Sequence, residues 1–242
     1  MASTSARVDV EFSMRSIPPR QVLADEVYVR LKSLIMASSI APGTRINIED
    51  IARQLEISPT PVRESLARLE SDGLVDKLPL KGYRTTELLD RDQVRELYEL
   101  RLLLEPNAAQ QAALRITQHG IDELRAELAS CQISGDDAEV MSYQDLSNHD
   151  VRIHDLILAL AGNETIRQAY ARTHCHLHTF RLAYAGTFGH HTLEEHAAIV
   201  EAVAAGDPDA AHEAMRLHVE SSQERVLSQF DIGPAATVSE AV

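Results

Sequence analysis

The run at residues 47–73, N-I-E-D-I-A-R-Q-L-E-I-S-P-T-P-V-R-E-S-L-A-R-L-E-S-D-G, leaves little freedom in its local structure. Asn47 is a good N-cap, and Ile48, Ile51, Ala52 and Leu55 give a short helix one apolar face before Glu56, Ile57 and Ser58 interrupt it. A second helix follows almost at once. Ser58 can cap it, Pro59 and Pro61 fall in a first turn where a missing N–H costs little, and Val62, Leu66 and Leu69 repeat at helical spacing until Gly73 stops it. Two short helices joined by a tight turn make a helix-turn-helix, whose second helix can enter a DNA major groove.

The polar face of that second helix carries Ser58, Thr60, Arg63, Ser65 and Arg68. Short hydroxyls at a helix N-terminus, with arginines one and two turns on, suit phosphate and base-edge contacts. Residues 74–85 then read as two short strands around a basic turn that includes Lys81 and Gly82, which is a wing. The DNA-contacting set expected here is Ser58, Thr60, Arg63, Arg68, Lys81 and Gly82. The bland alternative is a small helical pair with a solvated basic face.

Charge distribution supports the first reading. The chain of 242 residues has a net charge of −14, which alone argues against DNA. Yet residues 1–86 hold 12 Lys and Arg against 11 Asp and Glu, while residues 87–242 hold 11 against 26, and all three lysines lie in the first part. That asymmetry fits a nucleic-acid-facing module joined to an acidic domain with another task.

Residues 21–87 resemble the winged-helix domain of the GntR superfamily of bacterial transcription regulators, with Ser58-Pro59-Thr60-Pro61-Val62-Arg63-Glu64-Ser65-Leu66 close to its recognition-helix signature. Two positions depart from the pattern. Pro59 stands where members often have arginine, which leaves more of the reading to Arg63 and Thr60, and Glu49 sits where some relatives place a DNA-contacting arginine.

Past a short linker at residues 88–91 there is almost no strand signal. Helical patterns cover about 92–115, 118–131, 138–161, 164–184, 192–205 and 208–230, with breaks at Thr117 and Gly120, 134–137, Gly162-Asn163, 186–189 and Gly206-Asp207-Pro208. The expected fold class is mainly α: an N-terminal winged helix-turn-helix plus a C-terminal antiparallel bundle of six to seven helices. The division expected is a flexible arm at 1–18, the DNA-binding domain at 19–87, a helical effector-binding and dimerisation domain at 88–230, and a tail at 231–242. No stretch has the length of a membrane span or the pattern of a signal peptide, and Cys131 and Cys175 are expected as reduced thiols in the cytoplasm.

Within the acidic half, Asp150 and His154 lie four residues apart on a face continued by Ile157, Leu158 and Ala161, so both point inward. A buried carboxylate needs compensation, and a divalent metal shared with His154 would supply it. His196 aligns with Ile199, Val200 and Val203, and His218 has Ala211, Ala214, Met215 and Leu217 around it. Each histidine alone is more often a hydrogen-bonded core residue, but four such groups on inward faces favour a metal site. His174, His176 and His178 alternate at two residues, which inside one helix splays them over different faces, though one of them could flank the pocket. Arg101, set among leucines, reads either as an intrahelical partner of Glu105, worth ~0.2–0.5 kcal/mol if exposed, or as a pocket-wall guanidinium ready for a carboxylate.

Residues 88–230 also resemble the all-helical ligand-binding (FCD) domain of the FadR subgroup of GntR regulators in its metal-containing form. The matching features are Tyr98-Glu99-Leu100-Arg101 with Glu105, the Asp150/His154 pair, His196 ahead of Ile199 and Gly206-Asp207, and Met215-x-x-His218. The resemblance implies Asp150, His154, His196 and His218 as ligands of a divalent ion, zinc first and nickel or another first-row metal next, and Arg101 as the contact of a small carboxylate effector. It also implies a homodimer on double-stranded operator DNA, usually as a repressor. Two other functions compete with this expectation, a metallohydrolase and a regulator that senses the metal itself.

Overall fold

The computed structural model describes residues 20–131, 143–183 and 189–232. The expected arm, the breaks at 134–137 and 186–188, the first residues of the helix expected from 138, and all but the first two residues of the expected tail lie outside them.

The N-terminal part is built from α1 (Arg20–Met36), β1 (Arg45–Ile46), α2 (Ile48–Gln54), α3 (Pro59–Ser71), β2 (Val75–Leu78) and β3 (Gly82–Thr85). Asn47 caps α2 as its sequence position requires, its side chain accepting from the N–H groups of Glu49 and Asp50. Ser58 occupies the N-cap position of α3 with extended backbone, but its side chain makes no capping bond, contrary to expectation. Two prolines in the first turn have removed the N–H of residues 59 and 61, so little remains there for a hydroxyl to satisfy. Val62, Leu66 and Leu69 are fully buried against Val27, Leu31 and Ile35 of α1, each contributing ~1.5–3 kcal/mol of transfer free energy. Gly73 ends α3 with φ +70, and its N–H returns to the Glu70 carbonyl.

β2 and β3 pair antiparallel as the wing, with Lys77 opposite Tyr83. β1, two residues long and below the reach of any periodicity argument, pairs with the other edge of β3 and gives the order β1-β3-β2.

The helical part comprises α4 (Arg91–Arg115), α5 (Gln118–Ala129), α6 (Tyr143–Leu160), α7 (Glu164–Ala171), α8 (Cys175–Ala183), α9 (Gly189–Ala204) and α10 (Pro208–Ile232). Asp90 and Gln93 close a capping box at the start of α4. Ala109, Ala112 and Ala113 on α4 join Ile153 and Ile157 of α6, Ile199, Val200 and Val203 of α9, and Ala211, Met215 and Val219 of α10 in one core.

One expected helix is two. The pattern at 164–184 breaks after Ala171, with Arg172 as C-cap and His174 at φ +48. Thr173 causes this locally: its hydroxyl donates to the Tyr170 carbonyl at 2.6 Å and accepts from the Cys175 N–H at 3.3 Å, competing with the helical ladder. The break turns α8 so that His176 faces the bundle interior.

Candidate metal centre and DNA-reading face

α6, α9 and α10 bring Asp150, His154, His196 and His218 together, as their sequence positions predicted. One donor atom of each lies within 4.8 Å of all the others, and all four residues are buried. The protons around them follow from the surrounding acceptors. His154 Nδ1 donates to Glu105, and His218 Nδ1 donates to Glu195 at 2.8 Å, which Arg225 holds with two bonds of 2.6 and 2.7 Å. His149 Nδ1 donates to Glu127 at 2.9 Å, so its Nε2 accepts the Nδ1 proton of His196 at 3.0 Å.

Each of the three candidate rings therefore spends its one proton on the outer side. The Nε2 lone pairs of His154 and His218 face each other at 3.2 Å, and His196 Nε2, 3.4 Å from an Asp150 oxygen, is buried with no hydrogen-bond partner. Three inward lone pairs and a carboxylate with no proton among them leave a cation as the group that satisfies them, so these residues fit a divalent metal. Burial, only partly offset by Glu105, pushes His154 down to about 3, and burial pushes His218 down to about 4. Both rings are neutral at physiological pH, the form a metal needs.

His176, which sequence spacing places at most beside a pocket, touches Asp150 of the candidate set directly. Its Nδ1 donates to Asp150 and its Nε2 lies 3.0 Å from the Tyr170 hydroxyl, which donates to Glu105 at 2.7 Å. Burial opposes charge on this ring, but Cys175 and the Asp150 carboxylate outweigh it and raise the ring to about 10. His149, Glu127 and Glu195 were also missed at the sequence level; His149 borders Asp150 in the chain, but no local pattern links Glu195 to Arg225, 30 residues away.

Arg101 is 2% exposed, and of its two sequence readings the pairing with Glu105 is the one present. Its Nε donates to Glu105 at 2.6 Å, its guanidinium lies 4.9 Å from the Tyr98 ring centre, and Nη2 is buried without a partner. The pair with Glu105 is thus real but wholly buried, outside the regime of an exposed helix pair.

On the DNA-reading side, Ser58, Thr60 and Arg63 are exposed along the first turns of α3. Arg63 Nη2 lies 3.2 Å from Glu49. Arg68 is turned toward α1, pairing with Asp25 and stacking 4.0 Å over the Tyr28 ring. Ser65 is buried rather than on the polar face, its hydroxyl 2.7 Å from the Ala24 and Pro61 carbonyls, because α1 crosses α3 at that point. Lys81 is exposed at the wing turn, and Gly82 takes φ +86, a backbone that glycine adopts without strain.

Residues 96–221 match the family described as "FCD domain", and residues 23–84 match "Bacterial regulatory proteins, gntR family". The chain belongs to the GntR family, with an FCD domain. Similar proteins include the Nta operon transcriptional regulator of Aminobacter aminovorans, 34% identical over 52% of this chain and 57% of that protein. The HTH-type transcriptional repressor RspR of Escherichia coli (strain K12) is 27% identical over 86% of this chain and 90% of its own length. Among solved structures, E. coli McbR/YncC superposes with a TM-score of 0.63 at 19% identity, covering 86% of this chain and 98% of that one. This GntR-family chain is a DNA-binding transcriptional regulator and not an enzyme, which removes the metallohydrolase alternative. Among the described residues no helix is long and apolar enough to cross a membrane.

Proposed function

We propose that this regulator's affinity for its operator is set by a small organic acid bound beside a divalent ion held by Asp150, His154, His196 and His218. The observation that carries the reading is the set of buried, proton-free donors aimed at one point, with the unpartnered Nη2 of Arg101 on the neighbouring helix. Three imidazoles and a carboxylate suit zinc, with nickel a second fit. When bound, the ion supplies a Lewis-acidic contact for an anionic oxygen. Arg101 would take the other end of that anion, and Tyr98 and Glu105 hold the guanidinium in place.

The DNA side of the proposal uses Ser58, Thr60, Arg63, Lys81 and Gly82, with Arg68 anchoring α3 to α1. Residues 19–87 read DNA, residues 88–230 bind effector and pair two copies, and the protein works in the cytoplasm as a homodimeric repressor on a two-fold symmetric operator. Coupling is reciprocal: an acid that weakens DNA binding binds the DNA complex less tightly.

The test is operator affinity measured by fluorescence anisotropy across a panel of di- and tricarboxylates, with zinc and with a chelator. The reading predicts at least one acid whose effect requires both zinc and Arg101. An effect of zinc alone, unchanged by every acid, would instead make the metal the signal.

A further inference from the structure

The described side chains of α8 reach both the candidate ligand set and the winged-helix core. At its start His176 donates to Asp150. One residue on, Leu177 is buried in the N-terminal core with Val27, Leu31 and Leu69, and Phe180 packs against the same cluster. Arg181, 3% exposed, then donates to the Thr86 hydroxyl at 2.7 Å and the Thr86 carbonyl at 2.8 Å. Thr86 in turn donates to the Gly73 carbonyl at 3.0 Å, at the end of the recognition helix. His174 and His178 lie against that glycine, where an added methyl would meet them at 3.2 and 3.4 Å.

This seam is close but not completely satisfied. Arg181 Nε and His178 Nδ1 are buried without partners, two of the five such side-chain atoms among the described residues. A cleft of about 220 Å³ also opens beside it, between Tyr28, Lys32 and Asp72 on one side and Tyr170, His174 and His176 on the other. Tight packing transmits displacement, and the cleft leaves α8 room to shift.

We infer that α8 couples the two domains, with His176 and Arg181 as positioning residues that tie the arrangement at the metal centre to the placement of the winged helix. The inference rests on the metal reading above and adds its route to the DNA module. Asp150 offers one oxygen to the ligand cluster and the other to His176, so a carboxylate that turns toward an ion moves the start of α8. Nine residues of helix span roughly 14 Å, and their far end carries Arg181 to Thr86. The groups facing this seam, Lys32, Asp72, His174 and His178, then report the change to α1 and to the end of α3.

The test is hydrogen exchange read by mass spectrometry on the full chain, with zinc chloride and with a chelator, for wild type, Arg181→Met and Thr86→Val. Zinc stoichiometry is measured in parallel by equilibrium dialysis. In wild type, zinc is expected to slow exchange several-fold in α6, α9 and α10 and also in residues 73–86. In both variants zinc should still bind and protect the bundle, while the change at 73–86 falls below twofold. Thr86→Val removes from the other side the hydroxyl that links Arg181 to the Gly73 carbonyl, leaving only the Arg181 bond to the residue 86 carbonyl, and keeps the test open if Arg181→Met unfolds. Protection confined to the bundle in wild type, or retained at 73–86 in either folded variant, overturns the inference alone. Absence of zinc binding to wild type overturns the metal reading, and the inference with it.

Discussion

Arg63 on the recognition helix reaches back to Glu49 of the preceding helix, with Nη2 3.2 Å from the carboxylate and both side chains more than half exposed. A surface pair of this kind is worth ~0–1 kcal/mol, so DNA can displace it, but in the proposed DNA contact Glu49 would compete with phosphate for the same guanidinium. Arg63→Ala is expected to weaken operator binding by about 1–3 kcal/mol. Glu49→Gln should tighten it by up to ~1 kcal/mol, with the larger gain at low salt. Anisotropy titrations at two salt concentrations read both, and weaker binding by Glu49→Gln would refute the placement of Arg63 at the interface.

The buried Arg101–Glu105 pair changes what a simple alanine test of Arg101 means. Removing the cation leaves Glu105 buried with only His154 and Tyr170 as partners, at a cost of about 3–5 kcal/mol. Arg101→Met should therefore lower the urea midpoint sharply, and Arg101→Met/Glu105→Gln should recover most of it. Neither should respond to effector. A single variant as stable as wild type would show that the pair is not buried as described.

Glu195 orients His218 and is itself fixed by Arg225. Burial would raise its carboxyl, but hydrogen bonds from His218 and Arg225 outweigh it and hold Glu195 at about 2. Outer partners of metal-bound histidines are typically worth 10–100-fold in metal affinity. Glu195→Ala should lose zinc affinity by about that factor in competition with a chelating dye, while metal-free operator binding stays unchanged. Unaltered zinc affinity would place His218 outside the ligand set.

Metal-free protein should be most stable near pH 6.5, for two opposed reasons. His154, His178 and His218 have folded values of about 3, 4 and 4, all depressed first by burial, below an unfolded value near 6.5. The unfolded chain binds more protons there, so stability falls as pH drops from 6.5 toward 4. His176, raised to about 10, contributes stability that is complete below 6.5 and lost as pH climbs toward 10. Urea midpoints at pH 5, 6.5 and 9 in chelator should show a maximum at the middle value, and stability still rising at pH 9 would contradict it.

How much of this was legible in sequence follows the range of the interactions. The cap at Asn47, the stop at Gly73 and the apolar spacing of Val62, Leu66 and Leu69 act within a few residues, so residues 47–73 could be read as two helices. The inward faces of Asp150, His154, His196 and His218 were legible for the same reason, since each sits in register with its helix's apolar stripe. The α7–α8 break was not, because Thr173 carries no glycine or proline signal and acts through its hydroxyl. The burial of Ser65 depends on where α1 crosses, and the roles of Glu195 and His176 depend on partners 23 and 26 residues away. Contacts across such distances belong to packing, which one chain's periodicity does not encode.

The proposed metal lies between His154 and His218, whose facing Nε2 atoms are 3.2 Å apart with both outer nitrogens already donating. Its most direct measurement is zinc bound per chain, by equilibrium dialysis and elemental analysis, for wild type and His154→Ala/His218→Ala. One ion is expected per wild-type chain, with none retained by the double variant at micromolar zinc, and a melting temperature raised by roughly 5–10 °C at a hundredfold excess over Kd. Wild-type protein that binds no zinc, nickel or other first-row ion and melts at the same temperature with or without them would contradict it.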